Sequence, residues 1–205
     1  MLNGKNQFWH EGEAMDDLYR GSLVRLSAAD SQEISKSFSA SSRDSELMRL
    51  FGTGPTRTYS EKAVKAFYEK EVDAISENHF WFSIRSLEDD RLLGETDLQV
   101  DNWMAREAFI GIGIYKREDW GKGYGTDAMS LALHFAFLEL NLQRVSLTVF
   151  EYNPRAIRSY EKAGFRHEGR LRSALLKDGK RWDMIYMGIL FEDWKALYDD
   201  RKTAS

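Results

Sequence analysis

The sequence predicts a mixed α/β domain built on a mostly antiparallel sheet, and three observations carry that reading. First, three β-rich runs, HFWFSIRS, RLLGETDLQV and REAFIGIGIYK, follow one another with only the turn-like LEDD and DNWMA between them, the pattern of an antiparallel meander. Second, the order then changes to strand, helix, strand, helix and two strands, so both element types share one core. Third, the chain has 205 residues, 42% of them hydrophobic and 13% aromatic. A chain of that size buries roughly 70% of its unfolded surface, enough for one sizeable core.

Taken in order, residues 1–20 read as a polar extension that folds back through Phe8, Trp9 and Leu18, and residues 21–190 as the domain proper. LVRLS, from Leu23, is a short strand, and Ala28–Ala29–Asp30 opens a helix. Segments 28–39 and 45–51 read as helical, and GTGPTRT, with one of only two prolines, is a turn-rich loop. Ser60–Glu61 starts a long helix in which Val64, Phe67, Val72 and Ile75 form an approximate apolar stripe. The meander begins at His79. A glycine-rich turn then leads to an apolar helix near 125–140 and to the strand QRVSLTVFEY. Pro154 stands where a first helical turn accepts proline, and that helix ends at Ala163–Gly164. Two strands, about 165–176 and 181–190, flank Lys177–Asp178–Gly179–Lys180, whose Asp-Gly pair signals a hairpin. Residues 191–205 form a tail with a short helix.

Composition excludes several functions. With no cysteine the chain has no disulfide scaffold, thiolate metal site or cysteine nucleophile. Its 29 basic and 33 acidic side chains give a net charge of -4, which argues against nucleic acid and anionic membranes as partners. The longest apolar-rich run, Ala128 to Leu138, is too short to span a bilayer, and the first twenty residues hold no signal-peptide core. The expected location is cytoplasmic. His79 and His167 lack metal-ligand spacing and His134 reads as a packing residue, so no metal site is expected.

The chemistry concentrates between Ile110 and Thr126, IGIGIYKREDWGKGYGT. A strand ends near Lys116, glycines alternate at Gly121, Gly123 and Gly125, and a helix begins. Glycines let a ligand approach the main chain. The free N–H groups and dipole of the helix start favour an anion, and Lys122 adds positive charge. A phosphate or pyrophosphate fits. The loop is neither a Walker loop, since Gly123 follows Lys122, nor a dinucleotide fingerprint, since the spacing is Gly-x-Gly-x-Gly after a meander. A second element, Asn153-Pro-Arg-Ala-Ile-Arg-Ser-Tyr160-Glu-Lys-Ala-Gly164-Phe165, follows the next strand. It matches the N-x-x-A-x-x-x-Y-x-x-x-G-F signature of the GNAT acetyltransferases, and WGKGYG resembles their Q/R-x-x-G-x-G/A loop, in the same order and at the usual separation. The resemblance covers about residues 21–190 and points to the branch of ribosomal-protein alanine and spermidine N-acetyltransferases.

That resemblance implies a V-splayed, mostly antiparallel sheet with helices on both faces, acetyl-CoA as cofactor, and direct acetyl transfer to a primary amine. Gly111 and Gly113 are where the strand before the loop is expected to bulge or bend. Main-chain groups of Ile114 and Tyr115 are implied to hold the pantetheine arm. The stretch Trp120, Gly121, Lys122, Gly123, Tyr124, Gly125 and Thr126 is implied to hold the pyrophosphate. Trp120 stands where a polar residue is common, and Arg117 where proline is; Arg117, Lys122 and Arg158 are candidates for the phosphates. Asn153 matches a position that contacts the pantetheine region, and Tyr160 the tyrosine that protonates the departing thiolate. A phenol near pKa 10 can donate to such a developing charge.

A protonated amine must lose a proton before it attacks. The candidate bases are Glu95 and Asp97, which strand alternation puts on one face, and Glu107; each also fits a solvated strand face. A glutamate used by some relatives is replaced here by Thr148. Segments 23–75 and the hairpin near 177–181 are expected to choose the acceptor, a small-molecule or peptide amine. Phe51, Tyr59, Phe80, Trp81 and Phe82 are available to wall its pocket or to pack the core. The alternative reading is a non-catalytic acyl-CoA-binding sensor. Trp9, Trp103 and Trp194 are equally open to seeding a homodimer and to covering the chain's own core.

Overall fold

In the computed structural model, which describes residues 17–72 and 76–203 (backbone only from 200 on), seven strands form one sheet. The elements are β1 (Val24–Ala28), α1 (Ser31–Ser41), α2 (Ser45–Leu50), α3 (Glu61–Glu71), β2 (His79–Ser86), β3 (Leu92–Asn102), β4 (Glu107–Ile114), α4 (Tyr124–His134), β5 (Arg144–Phe150), α5 (Pro154–Ala163), β6 (Arg166–Lys177), β7 (Lys180–Leu190) and α6 (Phe191–Thr203). The extension residues Phe8 and Trp9, and Ile75, lie outside the described residues.

Local chemistry starts and stops the helices. Asp30 caps α1 by accepting from Glu33 N–H at 2.8 Å, Asp44 caps α2, and Ser60 caps α3 by accepting from Ala63 N–H at 3.2 Å. Pro154 occupies the first turn of α5, and Gly164, at φ 106°, ends it in the left-handed conformation. Asp178 and Gly179 both have positive φ, the turn that suits a two-residue hairpin between β6 and β7. In α3 the buried pair is Val64 and Tyr68, four apart, while Phe67 is 51% exposed. The stripe expected from Val64 and Phe67 is thus one position out of phase.

The strand order is β1-β2-β3-β4-β5-β7-β6. Every pairing is antiparallel except β4 with β5, which is parallel. That parallel contact has only three residue pairs, from Glu107↔Arg144 to Phe109↔Ser146, after which the strands part. No bulge accompanies the parting. The β3–β4 register runs unbroken past Gly111 and Gly113, and its shift lies instead at Val100/Asn102.

Helices cover both faces. On one, α4, α5 and α6 bury Leu98, Ile110, Met129, Leu147 and Met187, with β1 adding Val24 and Leu26 against Ala128 and Leu131. Trp194 belongs to this core, stacked on Tyr198. His134 packs there too, against Trp194 and Tyr198. On the other face, α1 and α3 bury Ile34, Val64 and Tyr68 against Leu92 and Tyr115. Trp103 is exposed, its Nε1 donating to Asn78 Oδ1 at 2.6 Å. Among the described residues no helix is long and apolar enough to cross a membrane.

Two carboxylates fix the approach to α4. Asp127, in its first turn, accepts from the N–H groups of Ser22, Leu23 and Val24 at 3.3, 2.7 and 3.0 Å, tying the helix to the start of β1. Asp119, 2% exposed in the 3-10 turn Arg117–Asp119, receives both terminal nitrogens of Arg91 at 2.8 and 2.6 Å. The Arg91 hydrogen bonds hold its carboxyl below the usual range, so its stabilisation is present at neutral pH and is lost as pH falls below about 4. Replacing Asp119 by alanine leaves Arg91, itself a third exposed, with only the exposed Asp89 beside its Nε at 3.3 Å. The expected cost is about 2 kcal/mol, or roughly 4–8 °C in Tm by calorimetry.

Candidate active site

Where β4 and β5 part, a cleft of about 850 Å³ opens. Tyr115 N–H donates to Leu93 O at 2.9 Å, which fixes the alternation of β4: the peptide groups of Ile112 and Ile114 face the open edge. The Ile114 carbonyl already accepts from Trp120 Nε1 at 2.9 Å. Tyr115 differs from its neighbour, because its N–H belongs to β3 and its ring is buried under α3.

The glycine loop forms one end of the cleft. Gly123 caps α4 at φ 92°, a conformation that side chains resist, and a Cβ there would lie 3.0 Å from Leu23 Cδ1. The first bond within α4 runs from Asp127 N–H to Gly123 O, so the N–H groups of Tyr124, Gly125 and Thr126 have no acceptor inside the helix. Gly121, Gly123, Tyr124, Gly125 and Thr126 all line the cleft. Lys122 stands half-exposed beside them, its Nζ 3.8 Å from Asp119. From α5, Arg155, Arg158 and Lys162 face the same space. Arg155 lies 3.6 Å above the Trp120 ring, and burial lowers its pKa. These unsatisfied N–H groups and cations suit a phosphate-bearing ligand. Arg117 does not join them: it pairs with Asp44 and Glu46 at the start of α2.

Glu95 and Asp97 point into the cleft from β3, directly opposite Gly113 and Gly111. Glu95 is only 8% exposed. Tyr68 Oη reaches its two oxygens at 2.6 and 2.5 Å. Burial raises the Glu95 carboxyl to about 7, against the opposing pull of the Tyr68 and Tyr115 hydroxyls. Burial, with the Glu95 charge, in turn pushes both phenols well up. Asp97 Oδ2 is 2.7 Å from His79 Nε2. Trp81 lines the cleft between His79 and Tyr68, with ring distances of 4.7 and 5.8 Å. Phe51 closes over Gly113, where a Cβ would sit 2.3 Å from its ring. Phe80 and Phe82 pack into the core, and Tyr59 is exposed.

Tyr160 and Asn153 line the cleft on the α5 side, with Thr148 from β5. Asn153 Oδ1 accepts from Ala156 N–H at 3.2 Å, which caps α5 and leaves the amide NH2 to donate elsewhere. Burial pushes the Tyr160 phenol up to about 12. Glu107 stands apart. It borders a second cavity of about 320 Å³ with Arg144 and Glu168, at the start of β4 where the parallel pairing still closes the sheet.

A roof completes the cleft. Leu47, Leu50 and Phe51 of α2 and its following turn line it. Beyond the Arg117 pairs, Arg49 pairs with Asp178 of the hairpin, Lys177 Nζ donates to Gly54 O at 2.5 Å, and Tyr152 Oη donates to Arg49 O at 2.8 Å.

Residues 20–166 match the acetyltransferase (GNAT) domain family. The chain belongs to the GNAT acetyltransferases. A probable N-acetyltransferase of Bacillus subtilis, YjcK, is 35% identical over 127 residues, 62% of this chain and 68% of that protein. A spermidine N(1)-acetyltransferase of Vibrio cholerae is 30% identical over 146 residues, 70% and 80% of the two chains. The crystal structure of the Vibrio cholerae spermidine N-acetyltransferase in complex with CoA and spermine superposes with a TM-score of 0.73 at 24% identity, covering 84% of this chain and 98% of that one.

In this GNAT acetyltransferase, the glycine loop and the Asn153–Tyr160 helix meet across the parted strands, as their order in the sequence suggested. Arg155 and Lys162 escaped notice, although with Arg158 their spacing of three and four marks one helix face. Tyr68 and His79 carried no sequence signal, because what matters is their contact with β3. One consequence is measurable without turnover. The folded protein holds Glu95 protonated up to about pH 7, whereas the unfolded chain ionises near 4.5. Stability therefore falls as pH rises between those values. Glu95→Gln should raise Tm at pH 8 and change it little at pH 5, as followed by circular dichroism.

Proposed function

We propose that this GNAT acetyltransferase moves the acetyl group of acetyl-CoA directly onto a primary amine, with Glu95 as the base and Tyr160 as the acid. The observation that carries the reading is that one cleft joins an anion-suited helix start to a buried carboxylate whose pKa lies near neutrality. The peptide edge at Ile112 and Ile114, the N–H groups from Tyr124 to Thr126, the Asn153 amide and the cations of Lys122, Arg155 and Arg158 are the groups that would hold the cofactor. Bound there, acetyl-CoA supplies the thioester-activated acetyl group.

The residues then divide the proton work. Glu95, ionised above about pH 7, takes a proton from the acceptor's ammonium and frees the lone pair for attack. Tyr160, kept protonated by its burial, donates to the sulfur as the C–S bond breaks. Glu95 and Asp97 together favour a cationic acceptor, and Trp81 and Phe51 offer aromatic faces to its charge and chain. Polyamines fit that description, in keeping with the names of the relatives; a protein N-terminus is the other amine of this class.

Thiol release with a panel of polyamines, amino acids and N-terminal peptides tests the reading, and acetyl-CoA binding without turnover on any amine would favour a sensor. Tyr160→Phe should keep cofactor affinity and lower kcat at least tenfold. The kcat/KM for the amine should fall as pH drops through about 7, and Glu95→Gln should remove most activity at every pH. Gly123→Val should weaken acetyl-CoA binding, measured by thermal shift, because it strains the cap and crowds Leu23.

A further inference from the structure

We propose that Asp97 and His79 form the outlet through which the acceptor's proton leaves the cleft, with His79 acting through Asp97 to restore Glu95 for the next turnover. This rests on the reading of Glu95 as base. The reaction produces one surplus proton in each cycle. An ammonium group brings three N–H protons, and the amide keeps one. As the C–N bond forms and the C–S bond breaks, one proton ends on the thiol sulfur. The third stays on Glu95 and must reach solvent.

Among the described residues, the back of Glu95 offers no exit. Tyr68 from α3 and Tyr115 after β4 close over it, both buried with Val64, Ile34 and Leu92. The open direction runs along β3. Asp97 is the next side chain on the same face, and such residues stand about 7 Å apart, a gap that one ammonium group or one water spans with two hydrogen bonds. The Asp97 charge already acts on Glu95. Asp97 has room to reach because Gly111, its partner across the strand, has no side chain: a Cβ there would lie 2.4 Å from Asp97 Oδ1.

Beyond Asp97 the path continues through His79 Nε2 at 2.7 Å. His79 is the first residue of β2, at the end of the strand, and its side chain and that of Asp97 are each 24% exposed. Their hydrogen bond thus reaches from the cleft to solvent. The Trp81 ring packs against the imidazole, 4.7 Å away and tilted by 39°. Among the described residues, the charged and titratable groups around His79 are Asp97 from β3 and Glu71 from the end of α3, with Tyr68 and Glu95 beyond Trp81. An imidazole carries two nitrogens, so it can take a proton from Asp97 at one and release one to water from the other.

The test is chemical rescue. His79→Ala should lower kcat at saturating acetyl-CoA and amine about tenfold while leaving kcat/KM for acetyl-CoA unchanged. Added imidazole should restore kcat in proportion to its free base. His79→Gln keeps a hydrogen bond to Asp97 but cannot titrate, so it should show the same loss without rescue; acetyl-CoA thermal shifts check that both variants fold. Wild-type kcat in either variant, or a loss in His79→Ala that imidazole does not restore, would overturn the outlet. Glu95→Gln separates the two ideas. If it is active, the base reading fails; if it is inactive while the His79 variants turn over normally, only the outlet fails.

Discussion

The site depends on β4 and β5 pairing for three residues and no further. A parallel pair that continued would bury the peptide groups of Ile112 and Ile114 in a ladder and leave no cleft. Because it stops at Phe109↔Ser146, those groups lie open, with the start of α4 on one side and α5 on the other. The parting needs no bulge. It is sustained by what fills each side: Ile110, Ile112 and Ile114 pack toward α4, while the glycines between them leave the other face free for Phe51 and the carboxylates of β3. A strand that reads as Ile-Gly-Ile-Gly-Ile is thus apolar anchor on one side and open space on the other.

The chemistry imposes a cost that the fold carries elsewhere. Burying a carboxylate opposes folding when it is ionised, and the base role proposed for Glu95 requires the ionised form. The cores on both faces supply the surplus, and Tyr68 limits the penalty by hydrogen-bonding the charged form. The proposed role and stability therefore pull this one side chain in opposite directions, a common arrangement at reactive sites.

Features written in contiguous residues were legible in the sequence. The meander, the Asp178–Gly179 hairpin, Pro154 at a helix start and the glycine loop are local, and local chemistry dictates them. Glu95 and Asp97 were legible as a same-face pair because a strand alternates. What failed was long-range. Glu107 looked equivalent to them until the parallel pairing placed it beside another cavity. Phe67 looked buried because a spacing of three and one of four both suit a helix, and only packing against Leu92 and Tyr115 chooses Tyr68. Arg117 was open to the phosphates or to plain surface charge, and the carboxylates that claim it, Asp44 and Glu46, lie some seventy residues away in sequence.

The roof over the cleft is tied to its neighbours largely through charge. Arg117 with Asp44 and Glu46, and Arg49 with Asp178, are exposed or half-exposed ion pairs, whereas the sheet and the glycine loop rest on buried apolar packing and a closed carboxylate. Dissolved ions screen the first kind of contact and scarcely affect the second. Ionic strength therefore acts as a dial on the cover of the cleft, leaving the sheet and the glycine loop beneath it at a constant setting.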